Sequence, residues 1–376
     1  MTELPVRIHV SFPGQVVETL PRIDTLKQDP NLAEQIGALY SAFTEILGKE
    51  VAEDVMQANN AQLKEDTFLG QLRSHYTATA MWLAFVNHTG GLNDPAIGAL
   101  MEEGIVKIQL SGDSAGFDTA AHAPEPEHLD DQIEKFRQGI RNKAKRAELM
   151  SSTPHDYNVG GMAVIRSPGW KVNRVIKVIN RQLGQENLVQ LVKHNAPTLK
   201  VVAGPREGLE TLAQYAASTN STFINNVSPY WFHHSLAMEL SGKRYGLHLA
   251  GNFTPPSRLF TYVSYITGRS VPPQKLPHDM ADGVWNPVNY YTFRGPSVHG
   301  AMCKGGYLDT IVMNKEITKW LRDSRKIATH LMNDFESLIA TKAWIMQAIH
   351  GQVQQGKQSD STVVSSPQAQ PYAALR

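Results

Sequence analysis

Residues 105–116 read IVKIQLSGDSAG, and the fold turns on how the chain continues past the strand in this stretch. Residues 105–110 carry the apolar, β-branched pattern of a strand, and the two glycines of Gly112-Asp113-Ser114-Ala115-Gly116 end it. Upstream, residues 6–11 (VRIHVS) alternate as one short strand closed by Pro13-Gly14, and the rest has helical spacing. Asp29-Pro30 supplies an N-cap and a proline at the first helical position, and Leu32, Ile36, Leu39, Phe43 and Ile46 recur until Gly48. A second stripe runs through Phe68, Leu72, Tyr76, Ala80, Leu83 and Val86 to Gly90-Gly91, and Asp94-Pro95 caps a short helix ending at Gly104. Downstream, Pro124 and Pro126 stop any helix after about two turns. On this pattern 112–116 is a structural turn, and the expected fold class is mainly α, two-lobed, with a few short strands and terminal arms.

Charge is very unevenly spread. Residues 1–134 hold 21 acids against seven bases, whereas 135–206 hold 14 bases against three acids, although the whole chain is formally +1. A concentrated positive field suits a polyanion, because phosphate neutralisation and counterion release supply most sequence-independent nucleic-acid affinity. The basic residues lie on two amphipathic segments. In 128–149, Leu129, Ile133, Phe136, Ile140 and Ala144 face inward, while Lys135, Arg137, Arg141, Lys143, Lys145 and Arg146 occupy the rest. In 172–183, Lys171, Arg174, Lys177 and Arg181 form one stripe. Lys193, Lys200 and Arg206, with Arg244 and Arg258 from the second lobe, complete the expected RNA-binding set. Tyr157, Trp170, Tyr230, Trp231 and Phe232 lie near this region, where aromatic rings stack on bases, although a core role suits most of them better.

Further helices are expected at 208–218, 229–241 and 256–267, and a long one from an Asn314 cap to Gly351. Residues 268–313 form an irregular aromatic loop. The expected organisation is therefore an N-terminal arm (1–28), a helical lobe with the basic helices (29–206), a second lobe with the aromatic loop (207–351) and a disordered tail (352–376). No apolar run approaches the roughly 20 residues of a membrane span, and there is no apolar leader, so no membrane insertion is expected. The single cysteine, Cys303, excludes an internal disulfide and multi-cysteine zinc sites. His233-His234 has no Asp, Glu or Cys at ligand spacing and reads as packing; no metal and no cofactor is expected. Residues 201–208 (VVAGPREG) run as a strand into a helix, where amides and Arg206 could meet a phosphate.

Gly112-Asp113-Ser114-Ala115-Gly116 resembles the nucleophile elbow of the hormone-sensitive-lipase branch of α/β-hydrolases. That resemblance implies a serine hydrolase with Ser114 as nucleophile, Asp282 and His299 as triad partners and His88-Thr89-Gly90-Gly91 as an oxyanion loop. The truncated following helix and the helical preceding segment favour the turn. Phe253-Thr-Pro-Pro-Ser-Arg-Leu-Phe-Thr-Tyr-Val-Ser-Tyr-Ile-Thr-Gly268 resembles the central motif of paramyxovirus-type nucleoproteins, and the two-lobed plan is similar to viral nucleoproteins and to partitivirus-like capsid proteins. The resemblance implies a chain that coats RNA and polymerises by exchanging arms. The reading that results is a non-enzymatic, self-assembling viral nucleocapsid or capsid protein of the virion and host cytoplasm, with RNA and itself as partners. A serine hydrolase centred on Ser114 and a cellular RNA-binding scaffold are the alternatives.

Overall fold

Val6, Ile8, Val10 and Phe12 are buried, and so are His9 and Ser11 between them, with only Arg7 partly exposed; in 106–112 every residue but Lys107 is buried. Burial on both faces is the mark of a central parallel strand between helical layers, not of a surface arm. The computed structural model describes residues 5–15, 20–152, 160–167, 169–184, 188–228, 233–256, 259–289, 298, 309–313 and 328–362, and its architecture is α/β.

In chain order the first half comprises β1 (Val6–Phe12), α1 (Pro30–Leu47), α2 (Lys49–Gln57), α3 (Asn60–Glu65), α4 (Thr67–Asn87), α5 (Pro95–Glu102), β2 (Val106–Gly112), α6 (Ala115–Ala121) and α7 (Leu129–Ser151). Next come β3 (Gly160–Arg166), α8 (Gly169–Gln182), β4 (Gln190–Ala196), β5 (Leu199–Pro205), α9 (Arg206–Ser218) and β6 (Thr222–Ser228). The last part holds α10 (Glu239–Asn252), β7 (Thr261–Val263), β8 (Ser270–Val271), α11 (Leu276–Asp282), β9 (Val288–Asn289), β10 (Asp309–Val312), β11 (Ala328–Leu331) and α12 (Phe335–Thr362).

The larger sheet has the order β11-β10-β1-β2-β7-β8 and is parallel except for β8. β1 pairs with β2 in register from Val6↔Val106 to Phe12↔Gly112, which brings the loop after β1 beside the turn after β2. Helices α4 and α7 pack together, and Tyr76, Trp82, Phe85, Phe117 and Phe136 are all within the continuous core over this sheet. The segment 160–228 is a βαββαβ unit whose antiparallel strands are ordered β6-β3-β5-β4, the ferredoxin-like arrangement, with β9 added parallel to β4. Its core is separate, built by Val172, Ile176 and Ile179 of α8 against Leu209, Leu212 and Ala216 of α9.

The capped helices stand where the spacing puts them. Asp29 Oδ1 accepts from the amides of Asn31 and Leu32 at 2.9 and 3.1 Å, and α1 stops at Gly48. The mainly α, two-lobed expectation is nevertheless wrong. Of the expected arm at 1–28, Val6–Phe12 is instead β1, lying between β10 and β2 in the sheet. The helix expected at 256–267 is replaced by β7, and that expected from Asn314 to Gly351 by β11 and α12, with 314–327 outside the described residues. Of the helix at 229–241, residues 229–232 lie outside the description and α10 begins at Glu239. Strands of two to four residues carry no periodicity to read, so only their long-range partners reveal them.

Candidate active site

β2 ends at Gly112 and α6 begins at Ala115, so two residues must turn the chain. Ser114 does so at φ 54° and ψ −120°, a conformation costing a non-glycine residue about 1–3 kcal/mol. Both flanking glycines are dictated by contact. A Cβ on Gly112 would lie 2.0 Å from the Gly116 carbonyl carbon, and one on Gly116 would lie 2.4 Å from the Phe12 oxygen. The turn is tied to β1, because the Asp113 amide donates to Phe12 O at 3.0 Å. Gly14 on the loop after β1 is equally confined, as its Cβ would sit 2.4 Å from Asp113 O.

His234 meets this serine, with Nε2 2.6 Å from Ser114 Oγ. Its other ring nitrogen, Nδ1, lies 2.6 Å from the carbonyl oxygen of Gly283. A carbonyl only accepts, so Nδ1 carries the proton and Nε2 accepts from the serine hydroxyl. Gly283 is forced by packing, since a Cβ there would lie 1.4 Å from Tyr265 Oη. The Tyr265 ring stands edge-on to the imidazole with centroids 6.1 Å apart. Burial, and then the charges of His233, Arg146 and Lys193, push the His234 pKa well below 6.5. The imidazole is neutral at pH 7 and competent as a general base.

A charged cluster lies beneath. Asp118 Oδ2 is 3.0 Å from Arg146 Nε and 3.3 Å from Lys143 Nζ, and all three side chains are 1% exposed. Lys143 also donates to Ala115 O, and Arg146 Nη1 donates to Gln71 Oε1. One carboxylate thus faces two cations. Burial draws the Lys143 pKa down to about 8, which still leaves it mostly charged at neutral pH, so the cluster keeps an excess positive charge. A second pair joins Asp113, the residue before the nucleophile, to Lys193 Nζ of β4 at 2.5 Å. Among the described residues no group of three or more His, Cys, Asp or Glu could hold a metal ion.

A strained serine at the carboxyl end of a central parallel strand, facing a neutral histidine, defines the nucleophile elbow of α/β serine enzymes. Solved structures share this fold. The chain is similar to an acyl-carrier-protein S-malonyltransferase from Burkholderia pseudomallei, with 18% identity over 90% of this chain and 100% of that one and a TM-score of 0.70. The malonyl-CoA-acyl carrier protein transacylase from Streptococcus pneumoniae is 18% identical over 89% and 99% with a TM-score of 0.67. A type II polyketide-synthase malonyl-transacylase solved with its acyl-carrier protein is 18% identical over 89% and 98%, also with a TM-score of 0.67. At these identities the fold is what is shared. No protein-family model and no curated protein matches the sequence.

This likeness overturns the nucleoprotein and capsid readings, and with them RNA and coat self-assembly as the partners and the virion and host cytoplasm as the location. The non-enzymatic expectation falls too, because the solved structures of this fold are transacylases. The serine-centred alternative is the better-supported one. Its expected partners differ, however. Asp282 instead faces His278 at 3.1 Å while the next residue supplies the carbonyl, and His299 lies outside the described residues. His88-Thr89 accepts Lys342 at the end of α4, far from an oxyanion role. His234, read as packing, is the histidine that matters.

The expected RNA-binding residues scatter. Lys143 and Arg146 are buried beneath the serine, Lys193 pairs with Asp113, and Lys200 is buried with Nζ donating to Ala196 O at 2.7 Å. The remaining α7 bases meet acids of the same chain: Lys135 with Glu125 and Glu127, Arg137 with Glu45 and Glu134, Arg141 with Glu134, and Lys145 with Glu148. The uneven charge is therefore largely settled within the molecule. Arg174, Lys177, Arg181, Arg206 and Arg244 are exposed, Lys171 is half-buried, and Arg258 lies outside the described residues. Gly204 and Gly208, read as a phosphate turn, are instead small because both abut Val189. Of the aromatics, Tyr157 and 230–232 lie outside the description, and no side-chain placement is described for Trp170.

Proposed function

We propose that the chain is a serine acyltransferase that moves an acyl group bearing a carboxylate, of the malonyl type, from a thioester donor to a carrier thiol. The observation that carries this is the 2.6 Å contact between Ser114 Oγ and the Nε2 of a neutral, carbonyl-anchored His234. Ser114 Oγ attacks the thioester carbon as its proton passes to His234 Nε2. When the tetrahedral intermediate collapses, the C–S bond breaks and the departing thiolate takes that proton. An acyl ester remains on Ser114. The acceptor thiol then gives its proton to His234 and attacks the ester carbon, and the C–O bond breaks with the departing Ser114 oxygen taking that proton back, so the base finishes as it began.

The developing oxyanion would be met by backbone amides. Ala115 opens α6, so its N–H has no partner within the helix. Ser74 Oγ donates to Gly14 O at 2.7 Å, and in a trans peptide the following N–H, that of Gln15, points the opposite way. Gly14 also lies against the elbow, so this loop is in reach of the same oxygen. Arg146, a buried cation in a cluster where two bases face one carboxylate, suits the acyl carboxylate, since a buried guanidinium pairs with a carboxylate by charge-assisted bonds. The likeness to malonyl transacylases supports the same substrate class.

The test is incubation with malonyl-CoA and a carrier protein, followed by measurement of malonyl transfer. Transfer that disappears in Ser114→Ala supports the proposal. Release of free malonate with no transfer to the carrier would make the chain a hydrolase, and no turnover of any acyl thioester would refute it.

A further inference from the structure

The Asp113–Lys193 pair has no part in the proposed transfer chemistry, yet it adjoins the nucleophile. Asp113 is wholly buried, and its Oδ1 and Oδ2 lie 2.5 and 2.6 Å from Lys193 Nζ. Among the described residues it is the one ion pair that joins the 160–228 unit to the larger sheet. The strand that delivers Lys193 is irregular at that point. Leu191 pairs with Val202 but Lys193 pairs with Val201, so Val192 is an inserted residue, a bulge that changes which way the following side chain points. Without the insertion, strict alternation along β4 would put residue 193 on the other face of the small sheet. Val192 itself packs into the small core beside Met162, Val201 and Ala203.

We infer that Lys193 and Asp113 form a positioning pair for the proposed acyl transfer: the bulged strand of the ferredoxin-like unit grips the residue before the nucleophile and fixes Ser114 against His234. The inference rests on Ser114 being the nucleophile. The strained turn at 112–116 has helix α6 on one side and β1 on the other, and the carboxylate of Asp113 is its one ionic anchor to the small sheet among the described residues. Loss of that anchor lets the turn relax, and a misplacement of order 1 Å at a reacting atom costs up to about 100-fold in rate. The pair also has an electrostatic effect, because Lys193 is among the charges that hold His234 neutral. The groups facing the imidazole are Arg146 from α7, His233 on its own segment, Tyr265 and Lys193 from β4. Lys193→Met alters only the last of these.

The experiment measures the rate at which a fluorophosphonate labels Ser114 in the full chain, across pH, alongside thermal stability. Asp113→Asn and Lys193→Met each break the pair and are expected to lower both labelling and stability. The deciding protein is the double variant Asp113→Asn/Lys193→Met, which removes both charges and is expected to regain stability. Labelling at least about tenfold slower than wild type, in a double variant as stable as wild type, supports the positioning role. Labelling that recovers together with stability would show that the pair only holds the fold, and would overturn the inference. The Lys193→Met profile should lose its labelling at a higher pH on the acid side than wild type, because removing a cation eases protonation of His234. An unchanged profile argues against the pair acting on the site. A wild-type protein that takes no label fails at the earlier step, the identity of the nucleophile.

Discussion

Among the described residues two serine–histidine hydrogen bonds of nearly equal length stand close in sequence, one within the larger sheet and one just past the end of β2, and the proposed chemistry uses only the second. Ser111 Oγ lies 2.7 Å from His9 Nε2, and His9 Nδ1 lies 2.8 Å from Gln109 Oε1, all on the β1–β2 ladder. Ser114 Oγ lies 2.6 Å from His234 Nε2. The first serine sits within a strand, fully buried, on regular backbone. The second sits three residues later, past the strand end, where the backbone turns through a positive φ and the hydroxyl meets His234. Equal hydrogen bonds therefore mean different things. What separates them is backbone strain, position at the strand's carboxyl end, and the buried cations nearby.

The sharpest way to break this contrast is to remove each histidine. His234→Ala should slow fluorophosphonate labelling of Ser114 by at least about 1,000-fold, as expected for a general base acting with its nucleophile as a unit. His9→Asn should leave labelling of Ser114 within about threefold of wild type, its ring contacting Ser111 and Gln109 while His234 is the imidazole on Ser114 Oγ. Comparable losses in both would erase the distinction between the two pairs.

Next in size is the effect of acid on stability. Burial lowers the pKa of His9, His122 and His194 to about 4 and that of His233 to about 3, and pushes His75 and His234 well below 6.5. Below pH 6.5 the unfolded chain takes up protons that the folded chain refuses. Stability is therefore full above about pH 6.5 and is lost as pH falls toward about 4. Thermal unfolding should shift little between pH 7 and 8 and fall steadily from pH 6.5 downward. A melting temperature flat to pH 4.5 would contradict the burial of these imidazoles.

Ser111→Ala should cost about 1 kcal/mol of stability, because it removes one buried hydrogen bond to His9, with no change in the Ser114 labelling rate. Denaturant unfolding and labelling on the same preparation check both halves. Smallest of all, Arg174→Ala, Lys177→Ala and Arg181→Ala on α8 should each change stability by no more than about 0.5 kcal/mol. The equally basic α7 contrasts with them, since removing Arg146 breaks a buried pair and should cost about 3–5 kcal/mol.

That contrast explains why the sequence misled. Two basic amphipathic helices look alike in one dimension, and nothing local tells that α7 carries its charges to Glu45, Glu125 and Asp118 while α8 leaves Arg174, Lys177 and Arg181 exposed. The capped helices and the strands at 6–11 and 105–110 were legible because their signals are local. The sheet was not, because β7, β10 and β11 are short and acquire meaning only beside β1 and β2. Gly112 to Gly116 was legible as an elbow, and the proline-limited helix that counted against it is what the fold has: α6 is seven residues long. The base was hidden for a chemical reason. His234 is oriented by the Gly283 carbonyl, so a search for a carboxylate partner points to Asp282, one residue away from the atom that does the orienting. The Gly14-Gln15 loop was hidden by distance, since β1 brings it to Ser114 across about a hundred residues of chain.

The central claim is that Ser114, and not Ser111, carries the acyl group. Brief exposure of the full chain to malonyl-CoA, followed by rapid acid quench, proteolysis and mass spectrometry, reads this directly. The account predicts one malonyl ester, on the peptide containing Ser114, absent from Ser114→Ala and present in Ser111→Ala. A malonyl group on any other residue, or retained in Ser114→Ala, would contradict it.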